Sequence, residues 1–239
     1  MTDRPWLSSY PQGVPADIDA SQYSSLVGLM EESFARYADR TAYSFMGRDA
    51  SYAEVDRLSR AFAAYLQGLG LAKGDRVAVM MPNCTQYPIA VAGILRAGLV
   101  LVNVNPLYTP RELAHQLKDS GATVIVIMEN FAATLQHCLA ATPVKHIVLG
   151  AMGDRLGLLK GTIVNYVVRK VKKLVPAYAL PGAVRFNAAL SQGASHALST
   201  SLGSCALRIG HCGLSCFLGD LCERGSFDLV KVVVVGVLA

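Results

Sequence analysis

Near the C-terminal end stand four side chains of the types that hold metals: His211, Cys212, Cys216 and Cys222. Thiolate and imidazole would suit zinc, but the cysteines are separated by three and five residues. The paired C-x-x-C spacing of a structural zinc site is missing. Gly153 to Thr162, "GDRLGLLKGT", carries the glycines, lysine and threonine of a phosphate loop out of register. The apolar run ending at Met81 is followed by "PNCTQYP" rather than G-x-G-x-x-G, so a dinucleotide site there has no support. Ser8 and Ser9 lie in no nucleophile elbow. His115 and His137 fall inside amphipathic helical patterns, and Glu31-Glu32 reads as a solvated helix face. These residues yield no catalytic, cofactor-binding or metal-binding assignment.

One stretch does suggest a physical task. Residues 155–185 contain seven basic side chains (Arg155, Lys160, Arg169, Lys170, Lys172, Lys173, Arg185) and no acid. Leu158, Leu159, Ile163, Val164, Val167, Val168, Val171, Leu174 and Val175 lie among them. A basic amphipathic helix of this kind suits an anionic membrane surface, with Lys160, Arg169, Lys170, Lys172 and Lys173 as the headgroup contacts. The competing reading is a core helix whose lysines snorkel to water. Without interleaved aromatic residues, the patch argues against a nucleic-acid platform.

The elements around this stretch repeat with regularity. "SSLVGLMEESFARYA" from Ser24 is helical, and a hairpin follows with Gly47-Arg48-Asp49 at its turn. Ser51 and Glu54 form a capping box, as do Thr109 and Glu112 with Pro110 at the first helical position. Thr85 is the expected cap of a helix that holds Pro88 in its first turn. The runs "DRVAVMM", "GLVLVNVN", "ATVIVIM" and "KHIVLG" are strands separated by helices, which means βαβ units and a mainly parallel sheet. The fold class is therefore α/β with flanking helices.

Of 239 residues, 52% are hydrophobic and 16% charged, which excludes general disorder. The net charge of +5 permits an anionic partner without requiring one. The N-terminus lacks an apolar signal region, and no apolar run reaches the roughly 18 residues of a spanning helix. The expected place is the cytoplasm, with peripheral attachment to the inner face of the cell membrane, and free buried thiols rather than disulfides.

"GILRAGLVLVNVNPLYTPRELAHQLKDSGA" resembles a conserved region of the acyl-adenylate-forming enzymes, and above all of bacterial long-chain fatty acyl-CoA synthetases. "ASYAEVDRLSRAFAAYLQGLGLAKGDRVAVMMPNCTQYPIAVAG" resembles the region before it, and "VKKLVPAYALPGAVRFNAALSQGA" the basic segment ahead of the family's ATP loop. The resemblance covers residues 1 to about 196. It implies an incomplete N-terminal part of an adenylate-forming domain over 1–198, with ATP, Mg and coenzyme A as the family's cofactors and a fatty acid as its substrate. The family's Thr/Gly-rich loop, metal-binding glutamate, ribose-binding aspartate and C-terminal lysine have no counterpart in this sequence. Residues 199–239 depart from the pattern and read as a truncation or an altered reading frame. Their ending, "VKVVVVGVLA", is β-prone and aggregation-prone.

Three expectations result. The chain is a truncated ligase portion, inactive alone; or a non-catalytic module that binds a membrane or forms a homodimer; or a metal- or thiol-bearing protein on a borrowed scaffold.

Overall fold

The computed structural model describes residues 4–17, 23 and 25–199. The tail with its four cysteines and His211 lies outside the described residues, as does Ser24. Helix α1 (Leu26–Arg36) starts at Ser25, whose hydroxyl accepts from the Gly28 amide. Strands β1 (Thr41–Phe45) and β2 (Arg48–Ser51) form the antiparallel hairpin. Its turn is Met46-Gly47, one step earlier than the sequence suggests, with φ of 49° and 69°. Both central residues are left-handed because that geometry matches the twist of the paired strands.

Helix α2 (Tyr52–Gly68) begins where Ser51 Oγ accepts from the Glu54 amide at 3.1 Å. Glu54 does not close the expected box. Its carboxylate turns to Arg48 and Arg155 instead, because two guanidinium groups outweigh one backbone amide. The box at Thr109 is complete, and it starts α4 (Pro110–Ser120), which ends at left-handed Gly121.

Five parallel strands follow: β3 (Arg76–Met80), β4 (Val100–Asn103), β5 (Val124–Met128), β6 (His146–Gly150) and β7 (Val184–Arg185). Their order is β4-β3-β5-β6-β7. Alternation splits the strand residues between two cores. Val77, Val79, Val124, Val126 and Val148 pack with α2, α3 (Gln86–Arg96) and α7 (Phe186–Ala194). Ala78, Met80, Ile125, Ile127 and Leu149 pack with α4 and α5 (Ala132–Cys138). Strands buried on both faces are near-continuous apolar runs for this reason.

Two glycines set the helix spacing over the first core. A Cβ on Gly93 would lie 2.8 Å from Phe62 Cδ1, and one on Gly193 would lie 1.8 Å from the Ala61 carbonyl oxygen. Arg96 joins three helices: its side chain is 3% exposed, it donates to Glu31 at 2.8 Å and to Asp56, and it stacks over Phe34. Glu31 is thus half of an inter-helix ion pair rather than simply part of a solvated face. Helix α6 (Leu158–Tyr166) and a π-helix (Val167–Val171) lie on the connection from β6 to β7.

Candidate functional site

In an open parallel sheet, ligands bind beyond the carboxyl ends of the strands, where the direction of winding reverses. Here the reversal falls between β3 and β5, since β4 is reached on one side of β3 and β5 on the other. The loop from β3 leads to α3 on one face of the sheet and that from β5 to α5 on the opposite face. Between these loops the chain places Cys84, Thr85 and Gln86, followed by Glu129 and Asn130.

Thr85 does not cap α3 with its side chain; its own backbone is already helical, and its buried hydroxyl has no hydrogen-bond partner. Gln86 is fully buried and donates to the Ala151 carbonyl at 2.8 Å. Burial pushes the Cys84 thiol up to about 11, against the opposing effect of the Tyr87 and Gln86 amides. A thiol held neutral in this way is not an activated nucleophile. Cys84 and Cys138 are both free and buried, as expected of them from the sequence.

Glu129 is 1% exposed and directly follows the all-apolar β5. Arg169 grips it with two bonds of 2.8 and 2.7 Å, and Arg185 adds a third at 3.1 Å. The two bonds that Arg169 donates to Glu129 raise its guanidinium above the ordinary range. Nearby, residues 151–156 form a tight turn. Asp154 accepts from the Ala151 amide at 2.8 Å, Asn187 donates to the Asp154 carbonyl at 3.0 Å, and the Gly153 amide donates to Asn165 at 2.7 Å. Burial raises the Asp154 carboxyl, and its bonds from Ala151 and Asn165 offset part of that shift. Gly153 and Gly161 let the turn and α6 approach backbone to backbone: a Cβ on Gly161 would meet the Gly153 oxygen at 2.3 Å.

Each arginine of this network has a carboxylate partner. Arg155 is paired with Glu54 at 2.9 Å, while Arg169 and Arg185 are paired with Glu129. These three arginines are engaged with carboxylates. Among the described residues, no group of three or more His, Cys, Asp and Glu could hold a metal ion.

The basic segment leans on this network and otherwise faces outward. In α6 only Gly161 is buried, so a core helix with snorkelling lysines does not describe it. Leu158 is 92% exposed and Leu159 77%, and Ile163, Tyr166, Val171 and Leu174 are exposed as well. A groove of about 320 Å³ runs along it, lined by Thr162, Asn165, Tyr166, Arg169 and Lys170. The five basic residues named from sequence separate into two groups. Arg169 holds Glu129, and Lys160 Nζ donates to the Met46 carbonyl. Lys170, Lys172 and Lys173 are exposed.

Sequence reasoning passed over Glu129, Asp154, Asn165 and Asn187. For Glu129 a signal existed: a carboxylate immediately after a buried parallel strand needs a partner, and a run of basic residues without acids can supply one. The asparagines carry no such signal.

Comparison with known proteins shows what the scaffold belongs to. The family model described as AMP-binding enzyme matches residues 30–180, which takes in the hairpin, four strands of the parallel sheet and the basic excursion. The chain belongs to the AMP-binding enzyme family. Within the family it is 57% identical over 189 residues to a long-chain-fatty-acid–CoA ligase of Escherichia coli O6:H1, a match covering 79% of this chain and 34% of that enzyme. A long-chain-fatty-acid–CoA ligase of Yersinia pestis is 56% identical over 192 residues, covering 80% and 34%. The chain therefore spans about a third of the length of these relatives. The fold is shared with an anthranilate CoA ligase solved in complex with anthranoyl-AMP (TM-score 0.60, 19% identity), covering 77% of this chain and 32% of that one. It is also shared with a benzoate CoA ligase from Burkholderia xenovorans (TM-score 0.56, 19% identity), covering 78% and 31%.

Proposed function

We propose that this chain is the N-terminal portion of a long-chain fatty acid–CoA ligase and does not turn over substrate alone. The 57% identity over 189 residues carries the reading. In the complete reaction a fatty carboxylate oxygen attacks the α-phosphorus of ATP and pyrophosphate leaves. The thiol of coenzyme A then attacks the acyl carbon and AMP leaves with the carboxylate oxygen. Both steps move negative charge and need donors or a metal beside the phosphates. The carboxyl-end network is read as structural, because each of its three arginines already has a partner in Glu54 or Glu129. The proposed role of these residues is to hold the sheet and the basic excursion in place, while ATP, Mg and coenzyme A belong to the complete enzyme.

The test has two arms. The purified chain with ATP, Mg and palmitate is expected to release pyrophosphate no faster than a no-protein blank. Activity that survives repurification would overturn the inactivity. Exchanging the matching segment of the Escherichia coli enzyme for residues of this chain is expected to preserve ligase activity. A folded but inactive chimera would sink the ligase reading.

A second proposed property is reversible attachment to anionic bilayers in the cytoplasm, at the inner face of the cell membrane. Its support is the exposed Leu158, Leu159, Ile163 and Tyr166 beside Lys170, Lys172 and Lys173. No helix among the described residues is long and apolar enough to cross a membrane. Each lysine near such a surface contributes about 1 kcal/mol, and salt weakens it. Co-sedimentation with phosphatidylglycerol-containing vesicles is expected to fall about a hundredfold in a K170E/K172E/K173E variant. Equal binding by both proteins would refute the attachment through these lysines.

A further inference from the structure

Among the described residues, only two non-glycine positions have a left-handed backbone: Met46 at φ 49° and Lys173 at φ 51°. Side chains with a Cβ avoid this region, and at Met46 the paired strands of the hairpin impose it. Both flank the same element. Lys173 lies two residues past the end of the π-helix, after Lys172, and Met46 is joined to α6 through the bond from Lys160 to its carbonyl.

Met46 is anomalous on a second count. A two-residue turn of this kind favours asparagine, aspartate or glycine. The methionine instead presents an apolar side chain that is 48% exposed. Its neighbour across the Lys160 strut is the helix whose outward stripe is Leu159, Ile163 and Tyr166, ending at Lys170. Leu159, Ile163 and Tyr166 are four and three residues apart within α6, so one face of that helix carries them. The polar chemistry is one-sided as well, since residues 155–185 contain no acid.

The geometry points to a single bilayer-docking surface made of the hairpin tip and the basic helix together. Met46, Leu159, Ile163 and Tyr166 enter the acyl boundary, and Lys170, Lys172 and Lys173 meet lipid phosphates. Lys160 is a strut that sets the depth of the tip relative to the helix, not a headgroup contact. Arg169 anchors the helix from behind through Glu129. This inference rests on the attachment proposed above and adds to it the hairpin, which composition and charge do not mark.

The test uses the full chain with vesicles of phosphatidylglycerol mixed into phosphatidylcholine, and with pure phosphatidylcholine as the control. Met46→Gly and Met46→Asn both suit a left-handed turn, so the melting temperature should hold or rise. Both are expected to lower partitioning to the anionic vesicles about fivefold, since roughly half of a methionine's burial is lost. Unchanged partitioning of both variants, alongside loss of binding by the K170E/K172E/K173E variant, would remove the hairpin from the surface and leave the attachment standing. Failure of the unaltered chain to partition to anionic vesicles would overturn the attachment and this inference together.

Discussion

Gly193→Ala is expected to destabilise the protein by about 2–3 kcal/mol. A drop of roughly 4–12 °C in melting temperature should accompany it. The added methyl would sit 1.8 Å from the Ala61 carbonyl oxygen and 2.9 Å from the Tyr65 nitrogen. Both are backbone atoms of α2, so no rotamer change can make room. α7 must retreat from α2, and Phe186, whose ring lies tilted against Phe62 with centroids 5.1 Å apart, moves with it. Gly68 provides the matched control. It is the last residue of α2 and a Cβ there meets nothing within 4 Å. Gly68→Ala should leave stability unchanged or raise it by up to about 1 kcal/mol through helix propensity. Thermal melts of the two variants decide the matter. Equal, small effects would mean that α7 does not pack on α2 at this distance.

Glu129→Ala is the second substitution with a large expected effect. It removes the common partner of Arg169 and Arg185 from a position 1% exposed, beneath the π-helix. Breaking a buried ion pair by removing one member usually costs about 3–5 kcal/mol. The two arginine side chains are 39% and 49% exposed and regain water, which reduces the expected loss to roughly 2–3 kcal/mol. The effect should be local as well as global. Amides of Val167–Val171 should exchange faster than those of the central strand β5, because Arg169 is the π-helix's tie to the sheet. Glu129→Gln keeps one acceptor and should fall between. Unaltered exchange across the π-helix in Glu129→Ala would show that other contacts hold the segment. A further readout is membrane partitioning: a loosened helix still carries Lys170, Lys172 and Lys173, so anionic vesicles should retain the variant.

Local chemistry was legible in the sequence wherever it acts over a few residues. The Thr109 capping box, the glycine stop at Gly121 and the four long apolar strands are short-range consequences of side-chain type and spacing. The alternation of strand and helix specified a mainly parallel α/β sheet, because parallel strands need crossovers that cover both faces. Tertiary structure decided where the long polar side chains went. Glu54 serves Arg48 and Arg155 instead of its own helix cap, and Glu31 serves Arg96 and Arg60 instead of water. Sequence assigned five cations of the basic segment alike, yet Arg169 meets a carboxylate 40 residues away and Lys160 a hairpin carbonyl 114 residues away. A long flexible side chain can satisfy its charge with whatever partner folding brings within reach, and that partner is set by topology. Strand order and the backbone contacts at Gly153, Gly161 and Gly193 belong to the same class: they are properties of elements meeting in space, which no local pattern encodes.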